Sequence, residues 1–121
     1  MQPSFLDNAI LVQLGQLRPA NTTAASVYTL TSKKQIWATS LLICNTSGAD
    51  TTWSVYYHNT GTTYNQTTAI AYQIAIQANT TYEWMFENYM PLIVTGGSIG
   101  VQSGTSNALT FTLQGYLRNV A

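Results

Sequence analysis

Apolar side chains recur at every second position through this chain, in short runs broken by clusters of Asn, Thr, Ser and Gly. Successive side chains of a strand point to opposite faces, so this period specifies β-structure with one face turned inward. Residues 51–58 (TTWSVYYH) place Trp53, Val55 and Tyr57 on one face and Ser54, Tyr56 and His58 on the other. Residues 68–77 (TAIAYQIAIQ) put Ile70, Tyr72, Ile74 and Ile76 on one side, opposite Ala69, Ala71, Gln73 and Ala75. Tyr82, Trp84 and Phe86 then alternate with Glu83, Met85 and Glu87. In residues 108–116 (ALTFTLQGY), Leu109, Phe111 and Leu113 oppose Thr110, Thr112 and Gln114.

Residues 35–44 (QIWATSLLIC) form a further run rich in β-branched, aromatic and apolar side chains, and residues 9–17, 24–31, 92–95 and 98–102 are weaker strand candidates. Turn clusters at 45–50, 59–63 and Asn79-Thr80 separate the runs. Only residues 83–90 (EWMFENYM) approach a helical face, through Glu83 and Glu87. Pro91 closes that stretch, which reads as a strand running into a loop. About eight short strands at this spacing specify an all-β fold: a single antiparallel β-sandwich, jelly-roll-like, over residues 9–121. Residues 1–8, with Pro3 and Phe5-Leu6-Asp7-Asn8, read as an extended N-terminal arm that docks on a partner.

Charged residues make up only 7% of the 121 residues, and they balance to a net charge of zero. Typical soluble domains carry about 25%. A neutral surface lacks the long-range repulsion that keeps molecules apart, so the composition favours association into something larger. It excludes nucleic acid as the principal ligand, because phosphates are held by clustered cations. The cations here are Arg18, Lys33, Lys34 and Arg118, and the adjacent lysines read as a solvated turn. No apolar run approaches the roughly 20 residues of a membrane-spanning helix. Met1-Gln2-Pro3-Ser4 lacks the basic start of a signal peptide.

The inventory of reactive groups is thin. His58 is the one histidine available as a base, and it alternates outward with Ser54 and Tyr56, reading as an exposed strand-end residue before a turn. Structural zinc takes four Cys or His ligands, and this chain offers Cys44 and His58. Cys44 ends the run Leu41-Leu42-Ile43 and reads as a buried, inert thiol. Asp7, Asp50, Glu83 and Glu87 are the acids. The last two would lie about 13 Å apart along a strand, too far for a glycosidase pair. They read as solubilising charges that guard a strand edge.

Gly96-Gly97-Ser98-Ile99-Gly100 matches no nucleotide fingerprint and reads as a tight turn between strands. The sequons at Asn21, Asn45, Asn65 and Asn79 read as turn vocabulary. The chain is therefore expected to be no enzyme and to hold no cofactor or metal. Its tyrosines suit either a protein interface, with Phe5, Leu6, Tyr56, Tyr64 and Tyr89 as candidate contacts, or an aromatic platform for a glycan.

Three stretches, LGQLRPANTTAASVYTL (14–30), 43–84 and NALTFTLQGYL (107–117), resemble small virion structural proteins of tailed bacteriophages. In that group an opening LGQ-x-x-P leads into a strand ending in Tyr-Thr. A core strand then runs into a CN-T/S-S turn, and a late ALTFT-x-x-G strand closes the domain. The group's exposed turn carries charge, whereas the turn at 59–65 here is almost uncharged. The resemblance implies a capsid decoration (cement) subunit, made in the host cytoplasm and carried on the capsid surface of the virion. Its partner would be the major capsid protein, and it would self-associate as a homotrimer at three-fold positions of the shell. The alternative is a tail-associated receptor- or glycan-binding module.

Overall fold

The computed structural model describes residues 8–120. The arm's Phe5 and Leu6 lie outside the described residues. Eight strands follow one another: β1 (Ile10–Leu17), β2 (Ala25–Thr29), β3 (Lys34–Asn45), β4 (Thr51–His58), β5 (Ala69–Ile76), β6 (Thr81–Leu92), β7 (Ser98–Ser103) and β8 (Leu109–Asn119). They form two four-stranded sheets, ordered β1-β8-β3-β6 and β2-β7-β4-β5. Every pairing is antiparallel. Each connection crosses from one sheet to the other except the β4–β5 hairpin, and that interleaving gives a jelly-roll-like sandwich. Among the described residues no helix forms.

The two inner faces share one apolar layer. Ile36, Ala38, Leu41 and Ile43 of β3 and Leu109, Phe111 and Leu113 of β8 cluster with Trp53 and Val55 of β4 and Ile99 and Val101 of β7. Burying a side chain of this size stabilises by about 1.5–3 kcal/mol, so the layer outweighs any single polar contact. β3 shows how a strand can break the simple period. The ladder to β8 shifts by one residue between Ala38 and Ser40. A bulge at Thr39 therefore keeps Ile36 and Ala38 inward before it and Leu41 and Ile43 inward after it. Cys44 follows Ile43 on the opposite face and is half-buried, not enclosed as expected.

Residues 83–90 differ from the reading of a strand that stops at Pro91. β6 runs through Pro91 to Leu92, with residues 86–89 bulged out of the ladder between Met85 and Met90. β6 is an edge strand, where the missing N–H of proline costs the ladder little.

Two local features hold the sheets in register. Gly15, in the LGQ stretch, sits where β1 shifts register, and a methyl group there would overlap the Val27 carbonyl oxygen of β2. Asn45, which is buried, ends β3 and ties two loops together. Its amide nitrogen donates to the carbonyls of Ala49 and Gln77, both at 3.0 Å. Its oxygen accepts from the Ser47 N–H at 3.0 Å and the Ser47 hydroxyl at 2.8 Å. Asn21 and Asn65 likewise accept the N–H two residues on, at 2.9 Å each, so these sequons build turns.

Gly15→Ala is expected to lower stability by about 2–3 kcal/mol through overpacking. Asn45→Ala is expected to lower it by about as much, because it removes four hydrogen bonds made by a buried side chain. Urea unfolding followed by tryptophan fluorescence checks both, and a shift below about 0.5 kcal/mol would refute either account.

Candidate functional site

Of the described residues marked in the sequence for contact, Tyr56 and Tyr64 lie together and Tyr89 lies apart from them. Tyr56 is 3% exposed despite its outward parity in the strand. The loop after β4 folds back over it, and the Tyr64 ring lies 5.7 Å from the Tyr56 ring. Tyr64 is half-buried on the outer face of the β2-β7-β4-β5 sheet. Tyr89 stands on the outer face of the other sheet, edge-on to Tyr116 at 6.2 Å. Near it Arg118 caps the buried Trp37 at 5.0 Å. Tyr82, Trp84 and Trp53 pack at the open side of the sandwich, with Trp53 5.6 Å from Tyr82 and 5.8 Å from Trp84.

The loop over Tyr56 is tied down from several directions. His58 Nδ1 accepts from the Thr63 N–H at 3.2 Å, so the lone histidine shapes a loop. The Thr68 hydroxyl donates to the Thr63 carbonyl at 2.8 Å and accepts from the Asn65 N–H at 3.1 Å. The Ser98 hydroxyl donates to the Gly61 carbonyl at 2.7 Å, which leaves its oxygen to accept from the Tyr64 hydroxyl at 2.7 Å. Gly96 (φ 94°) turns the chain into β7, as the glycine-rich string predicts. Gly100 has a different role: a Cβ there would stand 2.6 Å from the Tyr64 ring.

Beside this loop the outer face is concave. A cleft of about 670 Å³ is lined by the β1–β2 loop at Thr22, by Thr62, Tyr64, Asn65 and Gln66, and by Tyr72 on β5. A smaller one of about 180 Å³ adjoins it and shares Thr22, Tyr72 and Gln102. The floor is pinned: the Tyr56 hydroxyl donates to Gln102 Oε1, and Gln102 Nε2 donates to the Thr22 carbonyl at 2.9 Å. Neither cleft is lined by a charged side chain.

The sides of the sandwich are open. At the β5–β6 side a groove of about 320 Å³ is lined by Trp53, Ile74, Ile76 and Tyr82. Ile74 is 43% exposed and Met85 61%. On the opposite side β1 leaves Ile10 and Leu11 about equally bare, Leu11 at 62%. Among the described residues no three of His, Cys, Asp and Glu gather as metal ligands.

Alternation in residues 68–77 hides the part that Tyr72 and Ile74 play. Trp53 pairs with Ile74 but Val55 pairs with Ala71, so β5 carries one extra residue there, and a second between the Val55–Ala71 and Tyr56–Ala69 pairs. Gln73 takes a left-handed conformation (φ 52°), its N–H bonded to Ser54 Oγ at 2.9 Å. The bulge leaves Ala71 packed on the core and Tyr72 on the outer face beside the cleft, while Ile74 lines the groove with Trp53. Nothing in the Ile/Ala run 69–76, with one Tyr and one Gln, marks Gln73 as the bulged residue.

No family model matches this chain, and no curated protein matches it. Its fold is shared with solved structures. One is a protein of Bacillus endospore appendages, which form disulfide-linked pili: 16% identity, TM-score 0.52, 93% of this chain and 91% of that one covered. Another is the coat protein of tobacco streak virus: 11% identity, TM-score 0.50, 95% and 88% covered. A third is a chain of the infectious bursal disease virus Gx strain: 9% identity, TM-score 0.50, 90% of this chain but 32% of that one covered. At these identities the likeness is one of fold.

Burial pushes the hydroxyls of Tyr28, Tyr56 and Tyr57 above the ordinary tyrosine value. Their folded pKa exceeds the unfolded one, so their contribution is complete below about pH 10 and is lost as pH rises beyond it. Urea midpoints measured from about pH 8 to 12 are expected to fall above about pH 10. A midpoint that stays level to pH 12 would contradict this.

Proposed function

We propose that this chain is a non-enzymatic virion structural protein, a capsid decoration (cement) subunit that binds the assembled head of a tailed bacteriophage and strengthens it. The observation that carries the reading is a nearly uncharged jelly roll with bare apolar residues on both of its open sides. Leu11 and Ile10 stand on one side, Ile74 and Met85 on the other. Edge strands in isolated proteins are normally blunted by charge or covered. Here Glu83 and Glu87 on β6 are the only acids on an edge strand among the described residues. Two unlike sticky sides give contacts that repeat from one subunit to the next, closing into rings or shells when the rotation allows.

The resemblance of residues 14–30, 43–84 and 107–117 to small phage virion proteins supports the particular role. Two solved structures sharing the fold come from viruses, and a third from a pilus-like appendage. The partner in this reading is the major capsid protein, with the subunit self-associating as a trimer at three-fold positions and residues 1–8 reaching onto the shell. Binding only the assembled state shifts the equilibrium toward it by mass action.

Co-sedimentation with mature, undecorated heads, with isolated tails in parallel, tests the proposal. Saturable binding to heads is expected, at a stoichiometry set by the shell's symmetry. Ile74→Lys or Leu11→Lys is expected to cut head affinity about tenfold, the loss of one well-buried apolar contact. Binding to tails alone, or a monomer that sediments with neither, would overturn the reading.

A further inference from the structure

We infer that the double cleft on the outer face of the β2-β7-β4-β5 sheet is a binding site for a neutral oligosaccharide, with Tyr72 as its stacking platform. The inference is independent of the particle on which the subunit sits. The larger lobe of about 670 Å³ and the smaller of about 180 Å³ meet at Tyr72, Gln102 and Thr22, and together they have volume for more than one sugar ring. Tyr72 is 42% exposed at this junction, presenting a ring to both lobes. Tyr64 forms part of the larger lobe's wall and is held there by Tyr56 and Ser98.

The chemistry of the lining selects the ligand. No charged side chain lines either lobe, so nothing repays the desolvation of a phosphate, a carboxylate or an ammonium group. Apolar side chains are also scarce there, which excludes a lipid or a hydrophobic peptide as a good fit. What remains is hydroxyl and amide. Among the described residues, the hydroxyls of Thr22, Thr62 and Tyr72 and the side-chain amides of Gln66 make no hydrogen bond, nor does the Asn65 amide nitrogen. Each such group both faces a concave surface and is free to pair, and hydroxyl and amide groups can serve a polyol's donors and acceptors alike. The C–H face of a pyranose matches an exposed tyrosine ring in size and polarity.

The site is also ready-made. Gln102 is fixed from both ends by Tyr56 and Thr22. The wall loop is fixed by His58, Thr68 and Ser98. Little ordering is left for a ligand to impose, which favours binding by a small, flexible sugar chain.

A glycan array carrying neutral tri- to pentasaccharides of glucose, galactose, mannose and N-acetylhexosamines, beside sialylated and sulfated ones, tests this on the full chain. Retention of at least one neutral oligosaccharide is expected, confirmed by titration calorimetry with that oligosaccharide. Tyr72→Ala is expected to weaken it about tenfold, the loss of one stacked ring. Gln66→Ala should weaken it less, and Tyr82→Ala, on the far groove, should leave it unchanged. Circular dichroism on each variant establishes that the fold is intact. Retention of acidic glycans alone, no retention at all, or neutral binding that survives Tyr72→Ala would overturn the inference.

Discussion

The packing of one sheet's apolar face on the other is the interaction that organises every other part of this molecule. Phe111, Leu113, Leu41 and Ile43 meet Val55, Trp53, Ile99 and Val101 across a single layer. With 7% charged residues and one cysteine, the chain relies little on ion pairs and has no intrachain disulfide. The layer also explains the bulges. A strand that must keep apolar residues inward while its sequence breaks step inserts one residue and resumes, as β3 does at Thr39 and β5 at Gln73. Each bulge re-aims the side chains around it, and at β5 this puts Tyr72 at the cleft and Ile74 at the groove.

The polar part of the structure is built almost wholly from neutral side chains. Asn45 satisfies two loops at once, His58 shapes the loop after β4, and Ser98 links Gly61 to Tyr64. Neutral hydrogen bonds of this kind each contribute about 1 kcal/mol net, and they do not weaken with salt as surface ion pairs do. They also leave the surface with few charges, and these balance to zero. A molecule with no net charge is neither steered strongly to an anionic polymer nor repelled by its own copies. That one property underlies both the assembly reading and the choice of an uncharged sugar for the cleft.

Much of the fold was legible in the alternation. The run 51–58 coincides with β4, 68–77 with β5 and 108–116 with most of β8, and the inward placement of Trp53 and Trp84 holds. The weaker candidates 9–17, 24–31 and 98–102 are also strands, whereas 92–95 is the end of β6 and the loop beyond it. The candidate site was much less legible. Tyr56 carries the outward parity of a contact residue and is nonetheless covered, because the loop from Asn59 to Thr68 closes over it. Parity within a strand says which face a side chain takes, and says nothing of what the chain later lays on that face.

Three properties reside in the order of residues alone: β-structure throughout, two apolar faces that must meet, and a neutral surface. Periodicity and composition are local, and they survive whatever the topology. Folding in three dimensions was needed to lay Gly15 against the Val27 carbonyl and Gly100 under the Tyr64 ring. It was needed equally to leave a groove between β5 and β6 and to bring Tyr64, Tyr72 and Gln102 to the border of one cleft. Those juxtapositions join residues far apart in the chain through the interleaved order of the strands. That order is set by how eight strands jointly bury one layer, which no single run encodes.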